Sequence, residues 1–337
     1  MLEILKNIGV DWRDRRLIMN LYMNQTSVVK IQQELSEEGE IGRGVRQGCC
    51  MSPLLFNIYA EAMMLEAMEG VEEGVKIGGN LLKDVRFADD QGMISGSESG
   101  LQKIMDALNS TATEYDMKIN IKKTKVMRVS KSVGKVNIFI NGIKIEQVKS
   151  FKYLGHTMTE DGRCETEIKC RIAQAKEAFS NRKDLLTKSL RKQTKIKIVK
   201  TLVWTTLLYG AETWTLRKED IRKLEALEMW LWRRMEKISW TDKVTNEEVL
   251  NRVGVQRQLI NILRNRKKSW IGHVLRGNGL LKEVIEGRME GKRARGRPRL
   301  ARLDEIMKGS YVDMKRRTED RGGWKSYMPW TCRKAEH

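Results

Sequence analysis

The sequence of 337 residues predicts an α+β chain, and three observations support that fold class. Apolar residues make up 40% of the chain, which is enough to build a substantial core. Strand and hairpin patterns alternate with helical ones as far as about residue 160. From Cys164 onward the apolar spacing is helical and rich in tryptophan. We therefore predict a mixed first part followed by a helical part.

The net charge of +20 is unevenly distributed. Residues 1–100 hold 10 basic and 16 acidic side chains, whereas residues 255–299 hold 13 basic and 3 acidic ones. A basic second half predicts a polyanionic partner, because clustered Lys and Arg side chains neutralise phosphates. A highly charged surface that serves only solubility is the alternative.

The N-terminal residues and the cysteines indicate the cellular environment of the chain. No stretch approaches the roughly 18 consecutive apolar residues of a spanning helix, and residues 1–10 lack the features of a secretory signal. The five cysteines lack the spacing of a zinc ribbon. We therefore expect an intracellular protein with reduced thiols, no membrane partner and no structural zinc.

Helical patterns occur at both ends of the first 70 residues. Residues 1–24 predict two helical pieces separated near Gly9, and a glycine-rich loop then leads into a longer helix. We expect Ser52 to cap that helix and Pro53 to be its first residue, with the end near Glu69. Its predicted apolar face consists of Leu54, Leu55, Ile58, Tyr59, Ala62 and Leu65.

Two hairpins are predicted in the next segment. Val85 and Phe87 alternate with polar residues up to the pair Asp89 and Asp90, which predicts a hairpin with carboxylates at its turn. Two such carboxylates suit Mg²⁺, which prefers oxygen ligands, although most Asp pairs occupy ordinary solvated turns. Asn141-Gly142 predicts a second hairpin, since this dipeptide favours a two-residue turn.

The second half predicts helices over roughly 163–189, 191–209, 217–238 and 256–276. Five tryptophans fall between residues 204 and 240, and we expect them to form core rather than a surface on which bases stack. They are Trp204, Trp214, Trp230, Trp232 and Trp240.

Five motifs in fixed order resemble the reverse transcriptase of non-LTR retrotransposons, the LINE-like elements. They are the loop and helix of Arg46-Gln47-Gly48 to Ser52-Pro53, the hairpin Phe87-Ala88-Asp89-Asp90, the following helix, Asn120 to Thr124, and Phe151 to Gly155. The resemblance implies an incomplete right-hand polymerase palm with an antiparallel sheet over residues 1–160. It further implies a helical thumb-like region over 161–255 and a basic, partly disordered C-terminal region over 256–337.

The family activity is RNA-directed DNA synthesis, in which dNTPs are added to a primer 3′-hydroxyl by two-metal phosphoryl transfer. RNA template, DNA primer and dNTP are therefore the implied partners, and Mg²⁺ (or Mn²⁺) is the implied cofactor. The resemblance assigns the metal and the catalysis to Asp89 and Asp90. It assigns nucleotide and template contacts to Gln47, Gly48, Phe87 and Lys123, and the primer grip to Phe151, Leu154 and Gly155.

Each assignment has a structural alternative. Gln47 and Gly48 could be ordinary loop residues, Lys123 a solvated lysine and Leu154 a core residue. The family's palm also uses a third aspartate, in an F-D-x-V motif that precedes the segment resembled by residues 1–5. We therefore expect an N-terminally truncated copy, and the alternative function is a catalytically inactive remnant that binds nucleic acid.

The basic segment near residue 295 supports a separate hypothesis. Arg295-Gly296-Arg297-Pro298 equals the core of an AT-hook, in which arginines enter the narrow minor groove of A·T tracts. Minor-groove binding of A·T-rich DNA, non-specific contact with RNA or DNA, nuclear localisation and a solvated tail without function remain open for this segment. Its candidate nucleic-acid-binding residues are Arg293, Arg295, Arg297 and Arg299.

Overall fold

A computed structural model describes residues 1–130, 134–187, 190–288, 303–307 and 309–327. The chain divides into two compact units. Over the described residues, the first comprises Met1–Lys76, Asn80–Val126 and Lys135–Gln147. The second comprises Ile77–Gly79, Met127–Gly134 and Val148–His337, again over the described residues.

The elements up to residue 147 mix short strands with four helices, counted over the described part of the chain. In order they are α1 (Leu2–Asn7), α2 (Trp12–Tyr22), β1 (Gln25–Ser27), β2 (Lys30–Ile31), β3 (Glu34–Leu35), β4 (Gly39–Ile41), α3 (Ser52–Ala67), β5 (Val75–Ile77), β6 (Asn80–Leu82), β7 (Asp84–Phe87), β8 (Asp90–Met93), α4 (Glu98–Glu114), β9 (Lys125–Val126), β10 (Phe139–Ile140), β11 (Ile143–Lys144) and β12 (Glu146–Gln147).

The core of the first unit lies between α3 and α4 and extends to the strands around residue 140. Ile104 and Met64 are fully buried there. The predicted apolar face of α3 is partly wrong, because Leu54 and Leu65 are both 62% exposed. The methionines of the helix are buried instead, so its core face is rotated from the predicted one. The buried residues of α3 are Ser52, Leu55, Ala60, Met63, Met64 and Ala67.

The sheets in the described residues are all two-stranded. Most pairs are antiparallel hairpins, such as β7 with β8, while β9 and β12 pair in parallel. Asn141 and Gly142 form the turn between β10 and β11, as predicted, with φ of 51° and 75°. The predicted α+β class, with helices and small antiparallel sheets, is therefore confirmed.

The second unit is mainly helical. Its elements are β13 (Ser150–Tyr153), β14 (His156–Thr159), α5 (Glu165–Ser180), α6 (Lys183–Thr187), α7 (Lys192–Ile198), a π-helical turn (Val199–Val203), α8 (Trp204–Leu207), a 3₁₀ turn (Ala211–Thr213), α9 (Lys218–Met235), a second 3₁₀ turn (Trp240–Asp242), α10 (Asn246–Val253), α11 (Leu259–Arg276), α12 (Leu280–Glu286), α13 (Tyr311–Glu319) and α14 (Arg321–Ser326).

Tryptophans form much of the core of this unit. Trp204, Trp214 and Trp232 are at most 3% exposed, which confirms the prediction that they are core residues. Trp230 is only partly buried. Trp230 is therefore the exception among these four side chains.

A smaller cluster joins α11 to the last helices. Trp324 lies against Gly272, where an added Cβ would meet the indole nitrogen at 2.2 Å. The same nitrogen donates a hydrogen bond to the carbonyl oxygen of Lys268 at 3.0 Å. Position 272 therefore requires glycine, because a side chain there would collide with the indole.

Among the helices that the structure describes, none combines the length and apolar content of a bilayer-spanning helix.

Candidate functional site

The hairpin of β7 and β8 presents two adjacent carboxylates at its tip. Strand pairing ends with Phe87 opposite Asp90, so the connecting turn contains only Ala88 and Asp89. Ala88 has a left-handed backbone with φ of 51°, as two-residue hairpin turns require. Both Asp side chains are exposed. The predicted hairpin is confirmed, with one candidate metal ligand, Asp89, in its turn and the other, Asp90, at the start of β8.

Arg86 connects this hairpin to α3. Its Nε donates a hydrogen bond to Oδ1 of Asp84 at 2.7 Å, and its Nη1 donates to Oε2 of Glu61 at 2.7 Å. Charge-assisted bonds of this kind are strongly directional. They attach β7 to the helix one residue pair from the tip of the hairpin and therefore constrain the position of the tip.

The donor chemistry of the tip fits a divalent cation, because Mg²⁺ and Mn²⁺ accept carboxylate oxygens. The number of protein ligands falls short of a complete site. In the ranges that the structure describes, no cluster of three or more His, Cys, Asp and Glu side chains could hold a metal ion. Asp89 and Asp90 would by themselves supply only part of a ligand set for such an ion.

The loop before α3 contains Gln47 and Gly48, both exposed, with Gly48 at a φ of 87°. The prediction that Ser52 caps the helix is wrong. Met51 occupies the N-cap position, and Ser52 is the first helical residue. The Ser52 hydroxyl is buried and lies 3.0 Å from the hydroxyl of Tyr22, so it is engaged in a tertiary hydrogen bond rather than in capping.

Lys123 lies in a turn before β9. Oδ1 of Asn120 accepts a hydrogen bond from the Lys123 backbone nitrogen at 3.1 Å, and the Asn120 carbonyl accepts one from the Thr124 nitrogen at 2.9 Å. The Asn of the motif therefore builds the turn, and the lysine side chain is exposed. Phe87 is 63% exposed and lies on the same hairpin as the two aspartates. Lys123 and the loop that contains Gln47 belong to other segments of the first unit.

The Phe151–Gly155 motif forms the hairpin of β13 and β14 in the second unit. Tyr153 pairs with His156, and the turn residues Leu154 and Gly155 have φ of 48° and 75°. Two left-handed residues define the type I′ turn, which favours glycine. Leu154 is 37% exposed and Phe151 36%. The alternative that Leu154 is a core residue is therefore wrong, because it lies at the tip of a turn.

Three side chains hold this turn in place. The Arg171 guanidinium donates a hydrogen bond to the Gly155 carbonyl and lies 4.6 Å from the centre of the Tyr209 ring. The Tyr209 hydroxyl donates to the Leu154 carbonyl at 3.0 Å. Oε1 of Glu167 accepts a hydrogen bond from Nε of Arg171 at 2.6 Å. We call Glu167, Arg171 and Tyr209 the turn clamp.

The acid of the turn clamp is stabilised in its charged form. Burial alone would raise the pKa of Glu167, whose side chain is 1% exposed. Hydrogen bonds from Arg171 and from the Thr157 backbone nitrogen, the latter at 2.7 Å, outweigh burial and lower that pKa. His156 contributes in the same direction, with its Nδ1 at 3.3 Å from Oε1.

The sequence did not predict the turn clamp. Glu167 and Arg171 have the i, i+4 spacing of a helical ion pair, which was the available signal. Their burial and their bond to the hairpin depend on tertiary contacts.

The candidate AT-hook residues Arg293, Arg295, Arg297 and Arg299 lie outside the described residues.

Comparison with known proteins assigns the first part of the chain. Residues 2–158 match the family model of the reverse transcriptase (RNA-dependent DNA polymerase). A transposon-derived protein of Caenorhabditis elegans is 26% identical over 211 residues, which cover 60% of this chain and 75% of the relative.

Two further relatives have more specific names. The RNA-directed DNA polymerase from mobile element jockey of Drosophila melanogaster is 24% identical over 216 residues, 59% of this chain and 22% of that protein. The Pol polyprotein from the type-2 retrotransposable element R2DM of the same organism is 26% identical over 149 residues, 41% of this chain and 14% of that protein. Residues 2–158 are therefore similar to reverse transcriptases, and the two relatives with specific names are proteins of the mobile elements jockey and R2DM.

Proposed function

We propose that this chain is part of an RNA-directed DNA polymerase of a non-LTR retrotransposon, in which the β7–β8 hairpin carries metal ligands of the polymerase site. The observation that supports this most is the exposed Asp89–Asp90 pair at a two-residue turn within the family segment. Residues 1–160 would be the partial palm, 161–255 the thumb and 256–337 the basic C-terminal region.

The proposed reaction adds dNTPs to a primer 3′-hydroxyl on an RNA template. Asp89 and Asp90 would hold Mg²⁺ or Mn²⁺, which supplies charge stabilisation at the transferring phosphate. Gln47, Gly48, Phe87 and Lys123 would contact nucleotide and template. The turn at Leu154 and Gly155, with Phe151 on the preceding strand, would position the primer end. The turn clamp supports this role, because it immobilises the backbone carbonyls of both turn residues.

Metal-directed cleavage tests the site itself. Fe²⁺ substituted for Mg²⁺ reduces added hydrogen peroxide to hydroxide and a hydroxyl radical, is itself oxidised to Fe³⁺, and the radical cuts the backbone next to the bound ion. We expect cleavage close to Asp89 in the wild type, protection by excess Mg²⁺, and loss of cleavage in Asp89→Ala. Asp106→Asn, which removes an exposed carboxylate on α4, is the matched control and should cleave normally. Equal cleavage in wild type and Asp89→Ala would contradict the assignment.

The alternative function is a nucleic-acid-binding remnant without polymerase activity. The low number of candidate metal ligands favours this alternative, since no group of three or more of them occurs in the described ranges. The two functions differ in whether a further carboxylate completes the site. Binding of a primer–template duplex with no extension, even when the rest of the palm is supplied, would favour the remnant.

A further inference from the structure

A shallow groove of about 430 Å³ lies along α9, at positions outside the motifs of the family. One stripe of the helix lines it, because its residues recur at intervals of three and four. The stripe consists of Arg222, Glu225, Ala226, Met229, Trp230 and Arg233. Asn246, at the start of α10, and Arg257, before α11, complete the lining.

The charged rim of the groove is mostly cationic. Among the residues that the structure describes, neither Arg222 nor Arg257 has a carboxylate within ion-pair distance, and Arg257 interacts electrostatically with the buried carboxylate of Glu228. Arg233 is held by the Val244 carbonyl at 2.7 Å and by Oδ1 of Asn246 at 2.9 Å. The lining therefore has three guanidinium groups against one carboxylate, that of Glu225, and carries an excess of positive charge.

The floor of the groove is apolar. Ala226 is exposed, and Met229 and Trp230 lie beside it on the helix. The Trp230 ring packs edge-on against Phe179 with centroids 5.5 Å apart, and Nζ of Lys176 lies 5.4 Å from its centroid. This indole is thus held in place at the surface, unlike the fully enclosed tryptophans of the core.

A second groove, of about 480 Å³ along α11, offers a comparison. The guanidinium group that lines this groove is that of Arg266. Nη2 of Arg266 lies 2.6 Å from Oε1 of Glu212, so the positive charge of the arginine is neutralised locally. The α9 groove is the better anion site for that reason. A ligand that matches it needs flat apolar groups for the floor and phosphates for the rim.

We propose that the α9 groove binds a single-stranded nucleic acid, with Arg222 and Arg257 on its phosphates and one base on the apolar floor. Splayed bases can reach such a floor, whereas the bases of a duplex are stacked inside it. The inference rests on the proposed function, to which it adds a site for an unpaired strand.

The test uses the full chain and a labelled oligothymidylate of about twelve nucleotides, within the usual site size of a single-strand groove. We expect Arg222→Gln/Arg257→Gln to raise the Kd about tenfold and to reduce the salt slope by about 1.4, since each phosphate contact on a single strand contributes about 0.7. Ala226→Glu places a carboxylate on the floor without removing any contact and should also weaken binding.

The matched control is Arg316→Gln/Arg321→Gln, which removes the same charge from exposed positions on α13 and α14. It should change the Kd less than about twofold, because diffuse charge contributes weakly at physiological salt. Equal losses in the groove and control variants would overturn the proposal. So would an equal loss on a duplex of the same length, or full competition by free dTTP at concentrations near the Kd of the strand.

Failure of this inference is distinguishable from failure of the proposed function. If wild type and Arg222→Gln/Arg257→Gln bind both the oligothymidylate and a primer–template duplex equally well, the groove is not the single-strand site and the polymerase proposal stands. If the wild type binds the oligothymidylate through the groove but has no affinity for a primer–template duplex, the polymerase proposal fails instead.

Discussion

Glu167 and Arg171 form a buried ion pair, with Oε1 and Nε 2.6 Å apart and side chains 1% and 8% exposed. The guanidinium of the same arginine donates a hydrogen bond to the Gly155 carbonyl, so Arg171 links α5 to the tip of the β13–β14 hairpin. Neither residue belongs to the motif that it supports. The turn proposed to position the primer therefore depends on a pair located outside it.

Removing the arginine tests the turn clamp. Arg171→Ala leaves the Glu167 carboxylate buried without its cation, and we expect a loss of about 3–5 kcal/mol in the free energy of unfolding. Urea denaturation followed by tryptophan fluorescence measures this loss. Lys169→Ala on the same helix removes an exposed partner of Glu165 and should have little effect. Similar small changes in both variants would show that the pair contributes nothing specific.

Two buried glutamates should contribute to folding stability with opposite dependence on pH. The pKa of Glu167 is lowered in the folded state, so its contribution to stability is present above the unfolded pKa, about 4.3, and is lost as pH falls through the folded value. Burial raises the pKa of Glu228, although the backbone nitrogens of Gln258 and Leu259 bond to it. Its charging therefore destabilises the fold as pH rises through the raised value.

Glutamine substitutions separate these effects. We expect Glu167→Gln to destabilise the protein at pH 7 and to weaken the loss of stability between about pH 5 and 3. Glu228→Gln keeps an acceptor for both backbone nitrogens and removes the buried charge, so it should be neutral or stabilising at pH 7. Unfolding free energies measured across this pH range provide the comparison. Equal destabilisation by both variants at pH 7 would contradict the assignment of opposite shifts.

Trp324 and Gly272 allow a packing test of the C-terminal helices. Gly272→Ala introduces a Cβ 2.2 Å from the indole nitrogen, and we expect a cost of about 1–3 kcal/mol from overpacking, together with a change in tryptophan emission. Gly322→Ala on α14 meets its nearest neighbour at an ordinary 3.5 Å and should be tolerated. Tolerance of both substitutions would mean that the indole does not cross α11 at this glycine.

The basic segment gives a prediction about DNA. If Arg295 and Arg297 enter a minor groove, their double change to Ala should weaken binding to an A·T-rich duplex much more than to a G·C-rich one, because groove width and potential differ. If they contact only phosphates, both duplexes should lose affinity equally, and the salt slope should shrink by about one for each lost contact. Anisotropy titrations on the two duplexes at several salt concentrations distinguish these outcomes.

Local chemistry determined which features could be predicted from the sequence. The turns at Asp89 and at Asn141 were predictable because a two-residue hairpin leaves its signature in adjacent residues. The face of α3 was not, since apolar residues surround that helix and only tertiary packing selects Met63 and Met64 over Leu54. The turn clamp joins residues up to 55 positions apart, as in the bond from Tyr209 to Leu154, and no local pattern encodes such a contact.

The central claim is that the Asp89–Asp90 turn is part of a polymerase metal site, and RNA-templated primer extension tests it most directly. Assays would compare the 337-residue chain with the same chain lengthened by an upstream palm segment containing F-D-x-V, each with Mg²⁺ or Mn²⁺ and each with and without Asp89→Ala. We predict extension by the lengthened chain, abolished by Asp89→Ala and retained in Asp106→Asn. Extension that persists in Asp89→Ala, in either chain, would contradict the claim.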